Sequence, residues 1–171
     1  SHVFLLKKFD TTGIMRPRFH PQNGQLYVCG MFAWAGNQHE PGGFFRVRYT
    51  GKPVYLPTGL HAQQRGVAVT FSGTLDRETA IDAENYAVQT WTIRRTANYG
   101  SDHDDEKRLT VSTATLSEDG KKVFLEIPDI HPTRCMEIKY WLKGASGRDF
   151  NGTIHNTIHK LGHDEPASHE R

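Results

Sequence analysis

Histidine is the side chain with the most chemistry to offer in this sequence. His155 and His159 stand four apart in Thr153-Ile154-His155-Asn156-Thr157-Ile158-His159. On a helix that spacing turns two imidazoles to one face, ready to share a zinc or copper ion. On a strand it also keeps them on one face, but ~13 Å apart, too far for one ion. The segment reads as a strand, so a metal would need a ligand from elsewhere, and His103 is the candidate. It lies in Ser101-Asp102-His103-Asp104-Asp105-Glu106, where the carboxylates of Asp102, Asp104 and Glu106 alternate. Their oxygens suit calcium, whereas His103 directs the choice to zinc or copper. The frame of a calcium loop, Asp-x-Asp-x-Asp-Gly with a distant Glu, is missing. A solvated acidic loop and a polar terminal strand are the plainer readings of the two segments. A metal-binding or redox accessory role resting on His103, His155 and His159 is therefore the second reading.

A second set is aromatic and amide. Trp34, Asn37, Gln38 and His39 fall in the Gly-rich stretch before Phe44, and Tyr99 follows Asn98 in a later loop. Exposed rings flanked by amides make platforms for the apolar faces of sugars. Trp91 and Trp141 sit in long strands and are read as core residues, as sandwiches commonly bury a tryptophan. Bond-making chemistry finds less support. Glu40, Glu126, Asp129 and Glu137 are scattered, with nothing to hold any two at the separation a glycosidase needs. Ser72 and Ser101 lack a nucleophile elbow, and no Gly-rich dinucleotide loop follows a strand.

These residues must be carried by strands. The chain has 171 residues, with 16 glycines, 8 prolines and 11% aromatics, a mix that favours strands and turns over long helices. Lys plus Arg number 21 against 19 Asp plus Glu, a net charge of +2 that gives no general field for nucleic acid or a membrane surface. No run approaches the ~20 apolar residues of a membrane helix. No signal peptide opens the sequence, so any export signal is expected outside it. Cys29 and Cys135 allow one disulfide or two thiols. Their places in apolar strands of different blocks lead us to expect buried free thiols.

Residues 1–52 read as one block of four strands: Val3 to Phe9, Ile14 to Phe19, Gln25 to Cys29 and Phe44 to Tyr49, with Asn23-Gly24 as a two-residue hairpin turn. Four antiparallel strands are the size of a propeller blade. Residues 53–161 read as an immunoglobulin-like β-sandwich. Val67, Val69 and Phe71 alternate with Ala68, Thr70 and Ser72 along one strand. A short helical turn begins at Arg77 with Asp76 as N-cap. Further strands are expected over Asn85 to Arg95, Leu109 to Leu116, Val123 to Ile127, Met136 to Leu142 and Ile154 to Ile158. Residues 162–171 are polar and read as a disordered tail. The fold class is thus all-β: a blade-like antiparallel unit followed by an immunoglobulin-like sandwich.

Several ordered motifs resemble a known family. They are Ile14-Met15-Arg16-Pro17-Arg18-Phe19, Gly24-Gln25-Leu26-Tyr27-Val28-Cys29-Gly30 and Arg46-Val47-Arg48-Tyr49-Thr50-Gly51-Lys52-Pro53. Together with Ala97-Asn98-Tyr99-Gly100-Ser101 and Val123-Phe124-Leu125-Glu126-Ile127-Pro128-Asp129, they look like the end of large secreted bacterial propeller proteins of the membrane-bound dehydrogenase-like or sorbosone dehydrogenase-like kind. Many of those carry a c-type haem domain, for which this chain lacks the Cys-x-x-Cys-His site. The resemblance implies a last blade plus sandwich, working as a non-catalytic C-terminal module of a larger secreted, periplasmic or cell-surface protein. Such a module would cap the propeller and present a surface to a polysaccharide or a partner domain. The expected partners are the rest of a propeller or haem-bearing chain and a polysaccharide, with no nucleic acid and no membrane insertion. A structural spacer is the third reading.

Overall fold

The structure, a computed structural model, describes residues 2–4, 13–31, 40–48, 50–97 and 100–164. The chain divides into two compact units, residues 6–53 and residues 54–171 together with 1–5. In chain order the first strands are β1 (His2–Phe4), β2 (Gly13–Phe19), β3 (Leu26–Met31), β4 (Gly42–Val47), β5 (Pro57–Gln63) and β6 (Gly66–Phe71). A short helix α1 (Arg77–Ile81) follows, then β7 (Tyr86–Ile93), β8 (His103–Leu109), β9 (Thr113–Leu116), β10 (Lys122–Glu126), β11 (Thr133–Lys143) and β12 (Asp149–Ile158). The protein is all-β.

The larger unit is a sandwich of two antiparallel sheets, ordered β5-β6-β10-β9 and β1-β12-β11-β7-β8. Counted as eight successive strands, β5 to β12 place the first, second, sixth and fifth in one sheet and the eighth, seventh, third and fourth in the other. That is the immunoglobulin-like order, with β8 as the strand added beside the third. Period-two alternation fills the space between the sheets. Val67, Val69 and Phe71 of β6 and Val123 and Leu125 of β10 share one core with Val88, Met136, Ile138, Tyr140, Leu142 and Ile154 of the facing sheet. Gly152 has no room for a side chain, because the Tyr140 ring occupies the position a Cβ would take. Between β6 and β7 the chain makes α1. Asp76 caps it as expected, its carboxylate accepting from the Thr79 amide at 3.0 Å and the Thr79 hydroxyl at 2.9 Å.

Four features of this unit differ from the sequence reading. β5 is an additional strand, whose pattern Pro57 and Gly59 interrupt; Pro57 stands at the strand start, where a missing N–H is tolerated. The span Leu109 to Leu116 is not one strand but the end of β8 and the whole of β9, which lie in different sheets. The acidic segment around His103 is not a loop but β8, an edge strand that can be charged because it has a neighbour on one side only. Residues 162–164 are attached rather than disordered. The Gly162 amide donates to the Ala62 carbonyl at 2.9 Å, and Arg65 pairs with Asp164 at 3.1 Å. Residues 165–171 lie outside the described residues.

In the smaller unit the described residues form one antiparallel sheet, β2-β3-β4. The sequence reading counts Val3 to Phe9 as a fourth strand here, yet His2–Phe4 pairs with β12 in the sandwich, and residues 5–12 lie outside the described residues. The hairpin turn is four residues long rather than two, since the His20 amide bonds the Gln25 carbonyl across Pro21 to Gly24. Gly24 takes the left-handed φ of 64° that closes it. Register sorts the side chains into two faces. One is apolar, with Phe19, Leu26 and Val47 in one row and Val28 and Phe45 in another; the other holds Arg18, Tyr27 and Arg46 in one row and Arg16, Cys29 and Phe44 in the next.

Candidate functional site

On β7, β11 and β12 every second side chain points away from the sandwich core. Gln89 and Trp91 alternate with the buried Val88 and Thr90, and Glu137, Lys139 and Trp141 alternate with the buried Ile138 and Tyr140. Asn151, Thr153 and His155 do the same on β12, so three strands build one polar and aromatic outer face. Trp91 and Trp141 both belong to it. The exposure of Trp141 corrects its placement in the core, while Trp91 is buried as expected but outside the cluster between the sheets. Both are out of phase with the apolar positions of their own strands. Trp141 is 48% exposed, with Asn151 directly opposite on β12.

Trp91 is only 8% exposed although it faces outward, because two histidines cover it. The His103 ring stacks on the indole, with centroids 4.4 Å apart and planes 21° from parallel. His155 meets it edge-on, at 6.4 Å and 80°. A bulge in β8 accompanies the stacking. Thr90 pairs with Lys107 and Thr92 with Asp104, so Asp105 and Glu106 of β8 together stand opposite Trp91 of β7. Asp105 takes the left-handed φ of 54°, a conformation aspartate tolerates better than most residues. Glu106 then contacts the His103 Nδ1 at 2.5 Å.

Glu137 organises the rest of the face. Its carboxylate accepts from the Gln89 amide at 2.9 Å, pairs with the Lys139 ammonium at 2.9 Å and lies 3.8 Å from the His155 Nε2. The cross-strand rows Gln89–Glu137 and Glu137–His155 bring these groups together. Such a face presents hydrogen-bond donors, acceptors and the open indole of Trp141 side by side.

Of the residues singled out for a metal, the structure gathers two. His103 and His155 flank Trp91, each with its own carboxylate, while His159 stands exposed beyond the end of β12. Among the described residues no group of three or more His, Cys, Asp or Glu could hold a metal ion. The sugar-platform residues Trp34, Asn37, Gln38, His39 and Tyr99 lie outside the described residues. Gln89 and Lys139 are members of the face that sequence reasoning does not pick out, and it weighs Glu137 only as one of several scattered carboxylates. Their joint presentation depends on strand pairing, although the apolar phase of β11 already implies that Trp141 points outward.

Both cysteines are free, as expected, but they are not buried. Cys29 is exposed and Cys135 half-exposed, because each falls out of phase with its buried neighbour, Val28 or Met136. No helix among the described residues is long and apolar enough to cross a membrane. No protein-family model, curated protein or solved structure matches the chain.

Proposed function

We propose that the chain is a non-catalytic binding module of a larger bacterial protein, exported to the periplasm or cell surface, and that its outer sheet face takes a polysaccharide. The observation that carries this reading is Trp141. A 48% exposed indole on a paired sheet, opposite an amide side chain, is costly to leave bare in water and well suited to the C–H face of a pyranose. Asn151 and Lys139 beside it offer hydrogen bonds to sugar hydroxyls. The resemblance to the end of dehydrogenase-like propellers supplies the setting: a terminal module that adds recognition to a propeller or haem-bearing chain. A partner domain is the competing occupant of the same face. A glycan array read with the wild-type chain and with Trp141→Ala tests the proposal. Binding to a defined set of glycans, lost in Trp141→Ala with the melting temperature unchanged, is the expected result. An array with no Trp141-dependent signal would reject it and leave the partner-domain and spacer readings.

A further inference from the structure

The net charge of +2 conceals a division between the two units. Residues 6–53 carry seven lysines and arginines against two carboxylates, Asp10 and Glu40, a net charge of +5 that leaves −3 for the remainder. Three of these cations share one face of the β2-β3-β4 sheet. Register places Arg18 and Arg46 on either side of Tyr27, and Arg16 in the next row with Phe44. By ordinary strand spacing Arg18 and Arg46 stand about 10 Å apart, and Arg16 and Arg18 about 7 Å. All three arginines are exposed, and none has a carboxylate partner among the described residues; the Arg18 guanidinium donates to the neighbouring Pro17 carbonyl, at 2.9 Å. Between them lies an aromatic pair, Tyr27 and Phe44, stacked with centroids 5.6 Å apart and planes 23° from parallel.

We infer that this face binds an anionic polysaccharide, one whose sugars carry carboxylates or sulfates. Planar guanidiniums match either group with paired hydrogen bonds, and three that have no carboxylate partner among the described residues reward a ligand with repeating charge. A single-stranded nucleic acid has the same sign of charge but wants successive ring platforms for its bases. Here Tyr27 is flanked on one side by Phe44 and on another by His20, at 5.9 Å and 51°, so among the described rings of this face Phe44, 71% exposed, is the open one. One platform suffices for one sugar ring. The site uses different residues from the Trp141 face and stands independently of it.

The test is titration of the full chain with polygalacturonate, heparin fragments, neutral dextran and oligothymidylate at about 50 and 150 mM salt. Binding to at least one anionic glycan, severalfold weaker at the higher salt, is expected, and the two anionic arms separate carboxylate from sulfate preference. Dextran should not bind this face, so any dextran signal should be unaffected by changes to its arginines. The combined change Arg16→Gln, Arg18→Gln and Arg46→Gln should weaken binding at least tenfold without altering the thermal melt. Replacing the same arginines by lysine should weaken it less, and Trp141→Ala should leave it intact. Binding that survives the triple Gln change, oligothymidylate binding tighter than either glycan, or no anionic glycan binding at 50 mM salt would each overturn the inference.

Discussion

His103 lies over the indole of Trp91, ring to ring at 4.4 Å, and Glu106 holds the imidazole through its Nδ1. The stack explains how an outward-facing tryptophan stays hidden from water. In a protein whose other tryptophans, Trp34 and Trp141, are replaced by Phe, His103→Ala should shift Trp91 emission to the red and raise its quenching by acrylamide. The stability cost should be below about 1 kcal/mol, since the His103 and Glu106 side chains are both about half exposed. Unchanged emission would mean that the imidazole does not shield the indole.

The Asp76 cap should make stability depend on pH in a defined direction. Hydrogen bonds from the Thr79 amide and hydroxyl hold its carboxyl below the ordinary value of 3.8. A depressed native value stabilises the fold above the unfolded pKa, and that contribution disappears as pH falls through the native one. Asp76→Ala should therefore lower the unfolding midpoint clearly at neutral pH and hardly at all near the acid limit of folding. Equal penalties at both would show that the carboxylate charge does not matter to the cap.

Tyr86 makes the opposite prediction at high pH. Its phenol is buried and donates to the Ala80 carbonyl at 2.8 Å, and burial pushes its ionisation well above the ordinary value of 10.0. The stabilisation is complete below that ordinary value and declines as pH rises above it towards the native one. Spectrophotometric titration of the folded wild type and of Tyr86→Phe should count the same number of tyrosines ionising near the ordinary value. One fewer in the variant would mean that the phenol is open to water. Tyr86→Phe should cost about 1–2 kcal/mol in denaturant unfolding, from the carbonyl left without its donor.

Core register is tested by Leu125→Ala and Val69→Ala. These residues are 0% and 3% exposed and pack in the same cluster. Leu125→Ala should cost about 2–4 kcal/mol and Val69→Ala somewhat less, through lost burial and residual cavity. Costs below about 0.5 kcal/mol at both would mean that the two strands present these side chains to water.

Cys29 should react with a thiol reagent in the native protein, and faster than Cys135. Mass spectrometry after brief labelling gives the order directly. Protection of Cys29 until the protein is denatured would contradict its place on the exposed arginine-bearing face.

How much of this is legible in the sequence depends on whether the deciding contacts are local. Val67, Val69 and Phe71 announce their strand because period two is written in neighbouring residues, and the Asp76 cap can be read because its partner is three residues away. β8 is harder because an edge strand buries little: of His103–Leu109 only Leu109 is buried, so its charge suggests a loop. Trp141 misleads for a different reason. Its apolar character points inward while its phase points outward, and Tyr140 and Leu142 on either side take the core positions. The Gln89–Glu137–His155 row is beyond sequence reasoning altogether, since it exists only once three distant strands have found their register.

The pairing of β1 with β12 sets a timetable for the nascent chain. His2 ends opposite Asn156, so β1 leaves the ribosome ahead of β2 to β11, all of which are made before its partner is complete. Until then Val3 and Phe4 wait without a sheet while the β2-β3-β4 unit and most of the sandwich are synthesised. The entropy of closing so long a loop grows only slowly with its length, but such distant pairings form late. The outer edge of β12 is consequently the last seam of the sandwich to close, and during that interval it is one more edge open to capture by a strand from another chain.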